Sequence, residues 1–446
     1  MTDGSTMVDA VGVAHLLRRT TFGPTAAEVA AAERVGLRET LDAILTPTAP
    51  DRGAGLTPVP NIGVDPYVLL PGNANDDDRR QARETRRIQL RTVLDWWLDR
   101  MVEADHQFME KLVFFWHGHW ATSAQKVRSA AMMLGQVETF RRYGRGDFAA
   151  FARAMLRDPA LIQWLDGQRN TREAPNENLA RELMELFTLG IGHYTETDVK
   201  EGARALTGWT IYRASGTAVF LRRRHDPGRK TILGVTANHD ADSFVDVLLG
   251  QSAHAPFLAG RLWFRFASGA PMPAETRERL VAAYGSRRNV TALLRAMFTD
   301  PAFAGTAGQL VKQPIEWLVG ALRQLGILSR TMPERERLAL LAGLDALDQV
   351  PLHPPSVGGW PSGAAWLTTS SAQARLRIAE LLAARARTDV VDELAAVPAR
   401  QRPRELARLL VVDKWTERTR AALDTVADQP RRLVALGLAS PEYTVS

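Results

Sequence analysis

Two segments of this chain place chemically able side chains in an otherwise apolar setting. In the run Lys111-Leu-Val-Phe-Phe-Trp-His-Gly-His-Trp120, His117 and His119 stand among aromatic residues. Neutral imidazole is the commonest protein metal ligand, and Gly118 between the two permits a backbone turn that aims both rings one way. The same spacing suits two rings that pack as amphipathic plates with their nitrogens on backbone carbonyls. The second segment is Asn176-Glu-Asn-Leu-Ala-Arg-Glu-Leu-Met-Glu-Leu-Phe-Thr-Leu-Gly190. In a helix Asn178, Glu182 and Glu185 share one side with Arg181 beside them, and Leu179, Leu183, Leu186 and Phe187 take the other. That polar side has no lysine and is followed at once by the apolar exit Thr188-Leu-Gly-Ile-Gly192. A solvated amphipathic helix accounts for the pattern. A buried one requires Arg181 to pair with a carboxylate, Glu185 being in reach at i+4, and requires a cation for Glu182 and Glu185.

The expected site therefore has His117, His119, Glu182 and Glu185 as ligands of a divalent metal. Arg181 holds an anionic group, and Glu185 acts as a base. Without cysteine the chain has no thiolate to offer, so a His and carboxylate set points to Zn, Mn or Fe(II) rather than to copper(I) or an iron–sulfur cluster. His225-Asp226-Pro-Gly228 is a turn signal first and a second catalytic candidate, because a His next to an Asp on a loop can serve as a general base. Asn178, Trp120 and Trp360 are expected to contact the substrate. Trp360 lies in Pro351-Leu-His-Pro-Pro-Ser-Val-Gly-Gly-Trp-Pro-Ser-Gly363, stiff enough to wall a cavity.

Several classes are excluded. No P-loop, no G-x-G-x-x-G after a strand, no G-x-S-x-G and no H-E-x-x-H occurs. No apolar run is long enough to span a bilayer, and the first residues show no basic and apolar leader, so a cytoplasmic location is expected. The net charge of +6 comes almost wholly from arginine, with Asp and Glu interspersed. The tightest basic cluster, Leu221-Arg-Arg-Arg-His225, is short and reads as part of a strand. A small molecule or peptide, not nucleic acid, is the expected partner.

These residues need a helical frame. Apolar periodicity predicts helices over residues 7–19, 24–45 with a break at Gly36, 79–103, 107–115, 124–143, 147–157, 176–189 and 197–207. Residues 46–75 form a Pro/Gly/Asn-rich loop, long enough for a cover. Residues 209–235 read as a small antiparallel sheet inserted among helices, and helices resume to about 345 and again over 371–440. The fold class is mainly α, multi-helix bundles with a small inserted antiparallel β element. Four regions follow: N-terminal helices and loop (1–75), a central helical core (76–208), the β insertion (209–235) and a C-terminal helical region (236–446). An internal echo links Tyr143-Gly144 and Arg153-Ala-Met-Leu-Arg-Asp-Pro-Ala160 with Tyr284-Gly285 and Arg295-Ala-Met-Phe-Thr-Asp-Pro-Ala302, with a weaker copy at Leu438-Ala-Ser-Pro-Glu442. A duplicated helical unit in which Asp caps and Pro opens a helix explains it.

In combination, Leu16-Leu-Arg-Arg-Thr-Thr-Phe-Gly-Pro24, Phe114-Phe-Trp-His-Gly-His-Trp120, the Asn176–Gly190 segment, His193-Tyr-Thr-Glu196, Ala203-Arg-Ala-Leu-Thr-Gly-Trp209, His225-Asp226, Lys230-Thr-Ile-Leu-Gly234 and Gly359-Trp-Pro361 resemble the bacterial family catalogued as domain of unknown function 1800. The resemblance covers nearly the whole chain and implies a mostly helical protein without supplying a catalytic role. The leading expectation from the residues is a metal-assisted enzyme, hydrolytic or oxidative. The alternatives are a non-catalytic helical scaffold or partner-binding protein and a haem protein with His117 or His119 as axial ligand.

Overall fold

The structure is a computed structural model that describes residues 12–445, so residues 7–11 of the first expected helix lie outside it. The described residues form 25 α-helices and only two two-stranded antiparallel sheets, the mainly helical class that the periodicity predicts. No described helix is long and apolar enough to cross a membrane.

Local signals set the helix boundaries. Thr25 opens Ala26–Val35 with a reciprocal capping box to Glu28, and Gly36, at φ 95°, separates that helix from Leu37–Leu45. Asn75 caps the 28-residue helix Asp76–Glu103 in the same manner. Three aspartates in its first turn face the positive end of the helix dipole. Its later half buries Val93, Trp96, Trp97 and Met101.

Three expectations change. The predicted 124–143 helix is two helices, Ala124–Val127 and Ala130–Tyr143, because Arg128 turns left-handed (φ 52°) and Ser129 caps the second. The predicted 176–189 helix is an α-helix over Asn178–Glu182 that widens into a π-helix over Leu183–Thr188. The β insertion is two separate hairpins, Trp209–Tyr212 with Thr217–Phe220 and Lys230–Ile232 with Val235–Ala237. Arg222–Arg224 between them is one 3-10 turn, not part of a strand.

The internal echo is structural. Asp158 and Asp300 each cap a helix that begins with proline, and Ser440-Pro441 does the same. The first two copies also bind one another. Asp147 and Asn289 form an antiparallel bridge, with Phe148 N–H on the Arg288 carbonyl (3.0 Å) and Val290 N–H on the Gly146 carbonyl (3.1 Å). One apolar cluster runs from Leu16 to Tyr443 and packs both copies together.

Candidate functional site

The helix expected to end at residue 115 continues as Gln107–His119, so His117 and His119 are two helical positions apart. Side chains at that spacing point to nearly opposite sides. His117 lies against Trp97, Phe114, Phe140 and Trp360, whereas His119 lies against Trp116, Phe187 and Phe257. They do not converge on one ion, which corrects the expected metal pair. His117 Nε2 accepts from the Leu352 N–H (2.9 Å), and burial, with His353 nearby, lowers its pKa to about 3. Gly118 does not turn the chain. It stays helical and leaves room for Gly359, where a β-carbon would stand 2.5 Å from the Gly118 carbonyl oxygen.

His119 serves the π-helix. A π turn leaves carbonyls at its end without helical donors. The Phe187 carbonyl accepts from His119 Nε2 (3.1 Å) and the Thr188 carbonyl from His254 Nδ1 (3.0 Å), whose Nε2 in turn accepts from the Tyr284 hydroxyl (2.8 Å). Burial pushes His119 well below the ordinary imidazole value and His254 to about 4, so both rings are neutral. His119 Nδ1 is buried with no hydrogen-bond partner.

The acidic helix face is not part of this arrangement. Arg181 does not pair with Glu185: it binds Glu196 (2.7 Å) and Glu177 (2.9 Å), and its side chain is 31% exposed. Those bonds, Glu196 first, raise its pKa. Glu185 instead accepts from the Tyr194 hydroxyl. Half-burial and then Glu185 raise Glu182. Asn178 is exposed. Among the described residues no three His, Asp or Glu side chains are placed to hold a metal ion, so His117, His119, Glu182 and Glu185 form no common centre. The reason is geometric: a helix facing the core on all sides sends the two imidazoles apart, and the π turn gives its buried side to leucine and phenylalanine.

His225 and Asp226 tie a turn together. His225 Nδ1 lies 3.0 Å from the Thr207 carbonyl, and Asp226 receives Arg204 Nε (2.7 Å), which lowers its pKa. Lys230 donates to the Asp226 carbonyl (2.7 Å). Trp120 is fully buried against Phe148, Phe151 and Phe187.

Two predicted residues do meet at a cavity. His119 and Trp360 line a pocket of about 300 Å³ between the Gln107–His119 helix, the His254–Phe266 helix, the Gln309–Gln313 segment and the glycine-rich loop that carries Trp360. Trp360 stacks on Phe114 (centroids 5.4 Å, 20°) where both line the pocket. Phe115 and Phe264 add apolar surface.

The residue that gives this pocket its character is Arg261, which sequence reasoning missed. Its guanidinium has no hydrogen bond or ion pair among the described residues, its Nε is buried, and desolvation lowers its pKa. It also presses His119 toward neutrality. Arg265, one turn on, shares Glu316 with Lys111, whose Nζ is 2.7 Å from that carboxylate. Arg265 and Lys111 both draw on the carboxylate of Glu316, and Arg261 forms no ion pair with it. A signal was present: His254-Ala-Pro-Phe-Leu-Ala-Gly-Arg-Leu-Trp-Phe-Arg-Phe266 puts two arginines four apart in an apolar helix with no acidic residue.

No curated protein and no solved structure is significantly similar to the chain. The family model described as "protein of unknown function (DUF1800)" matches residues 15–445, nearly the whole length and all the segments that build this pocket. The chain belongs to the DUF1800 family.

Proposed function

We propose that this protein binds a small organic anion, a carboxylate with an apolar body, in the Arg261 pocket. The observation that carries the reading is an arginine without a counter-ion facing a cavity walled by aromatic rings. A buried guanidinium without a partner is costly to the free protein, and a bound carboxylate would meet it with paired hydrogen bonds. Phe114, Phe115, Phe264 and Trp360 suit an apolar or aromatic body, the usual composition of a small-molecule site. Ser362 also lines the pocket as a neutral hydrogen-bonding group.

This reading replaces the metal-assisted enzyme expected from the sequence with an anion-binding site whose chemistry rests on Arg261. Haem ligation finds less support, since the Nε2 atoms of both His117 and His119 are engaged by the backbone. The scaffold alternative, a closed network without a cavity, finds less support beside a pocket of about 300 Å³.

The test is a thermal-shift titration of the purified chain with benzoate, phenylacetate and citrate, beside the Arg261→Met variant. The expected result is saturable stabilisation by the aromatic carboxylates that the variant loses. Stabilisation that survives in Arg261→Met, or none from any of these carboxylates, overturns the proposal.

A further inference from the structure

The long loop over residues 46–75 and the β insertion take no part in the Arg261 pocket, yet the fold brings both to a second, open cleft of about 610 Å³. The loop supplies Tyr67, the Asp76–Glu103 helix supplies Arg86, and the short helix after the His-Gly-His segment supplies Lys126 and, at its end, Arg128. The turn of the first hairpin supplies Arg213. No lining residue is shared with the first pocket.

We propose that this cleft binds a small phosphorylated compound through its dianionic phosphate. Asp65 is a buried carboxylate shared by two guanidinium groups, Arg213 at 2.6 Å and Arg86 at 3.9 Å. Arg86 is held 3.6 Å over the ring of Tyr67, its side chain only 12% exposed and its Nε without a hydrogen-bond partner. Lys126 reaches Asp166 at 2.7 Å. Arg128 has no carboxylate among the described residues. Its backbone is left-handed, a conformation that side chains with a β-carbon disfavour, and its Nε donates to the Gln125 carbonyl (3.1 Å), which fixes it at the cleft. The four cations Arg86, Lys126, Arg128 and Arg213 against the two carboxylates Asp65 and Asp166 leave two positive charges, the complement of a phosphate monoester. Guanidinium groups donate to phosphate oxygens in pairs, so three arginines at one cleft favour phosphate over a monocarboxylate.

The cleft is open but local, lined by eight residues. The densest basic run in the sequence, Arg222–Arg224, does not line it, so the residues do not form the extended face that a nucleic-acid backbone requires.

The experiment is calorimetric titration of the full chain, in chloride buffer of low ionic strength, with glucose 6-phosphate, inorganic phosphate and a single-stranded oligonucleotide. The variants are Arg128→Ala, Arg86→Gln and Arg261→Met. The expected result is saturable one-site binding of the ester. Arg128→Ala, which removes an exposed side chain and leaves no carboxylate stranded, should weaken it at least about tenfold, the worth of one charge-assisted hydrogen bond. Arg86→Gln should weaken it further, and Arg261→Met should bind as wild type. Equal binding of inorganic phosphate also supports the proposal, as recognition of the phosphate alone. The absence of saturable binding to either phosphate probe, an affinity that Arg128→Ala leaves unchanged, or tighter binding of the oligonucleotide overturns it.

Discussion

An arginine kept for a ligand should burden the protein when the ligand is absent, and Arg261→Met tests that burden directly. Methionine retains most of the apolar stem and so most of its packing. What it removes is a guanidinium with a buried Nε that no group satisfies. One unsatisfied buried polar atom costs about 1–3 kcal/mol. The other guanidinium nitrogens border the cavity, so the charge escapes the full burial penalty, and a net stabilisation of about 1–2 kcal/mol is expected for the variant without ligand. With an unfolding entropy of about 2.1 cal/mol/K per residue, a chain of 446 residues should melt about 1–2 °C higher by calorimetry. A carboxylate present at about one hundred times its Kd adds about 2.7 kcal/mol to the wild type and nothing to the variant, so the order of the two Tm values should reverse. A variant that melts below the wild type without ligand would refute the reasoning, because the guanidinium would then be stabilising the free protein.

Three further outcomes follow from the geometry. Gly359→Ala puts a methyl group 2.5 Å from the Gly118 carbonyl at a residue with φ +85°. It should destabilise by more than ~2 kcal/mol and weaken carboxylate binding together, and an unchanged urea midpoint would mean that the Trp360 loop is free to shift. Arg181→Ala should cost less than ~1 kcal/mol in denaturant titration, because its pairs with Glu177 and Glu196 are partly exposed, and a larger loss would restore the buried-face reading. The buried imidazoles set an acid limit. His15 and His254 are lowered to about 4 and His117 to about 3, all by burial, so between these values and about 6.5 the unfolded chain binds protons that the folded one does not. Stability is full above pH 6.5 and falls as pH drops through this window, by about 1.4 kcal/mol per pH unit for each ring near pH 5. His254→Gln should make the fall shallower by one such step. An unchanged slope of unfolding free energy against pH would show that His254 does not titrate as described.

What could be read from the sequence was whatever depends on residues a few positions apart. Thr25 with Glu28, Asn75 with Asp78 and Thr195 with Asp198 are caps that the backbone N–H groups of one helical turn require, and each is observed as such. Asp-Pro at 158–159 and 300–301, the break at Gly36 and the stiff loop carrying Trp360 are of the same kind. The placement of His119 beside Trp360 was not legible, because 240 residues separate the two and no local pattern links them. Sequence periodicity could not tell that the acidic face of residues 178–185 is only partly buried. A π turn rotates side chains away from the α-helical wheel, and a polar face looks the same whether water or protein covers it.

The sequence by itself determined that the chain is helical, where several helices of its first half begin, and that it has no thiolate with which to hold a metal. Only the tertiary structure decided which polar groups share a site. His117 receives its hydrogen bond from a residue 235 positions away, and Arg213 its carboxylate from one 148 positions away. Over such separations no local pattern constrains which charges meet. Arg261 has no counter-ion among the described residues, and Arg86 and Arg213, 127 positions apart, meet at the carboxylate of Asp65. Local chemistry fixes backbone hydrogen bonds within a turn or two, whereas long-range packing determines which charges are left without partners.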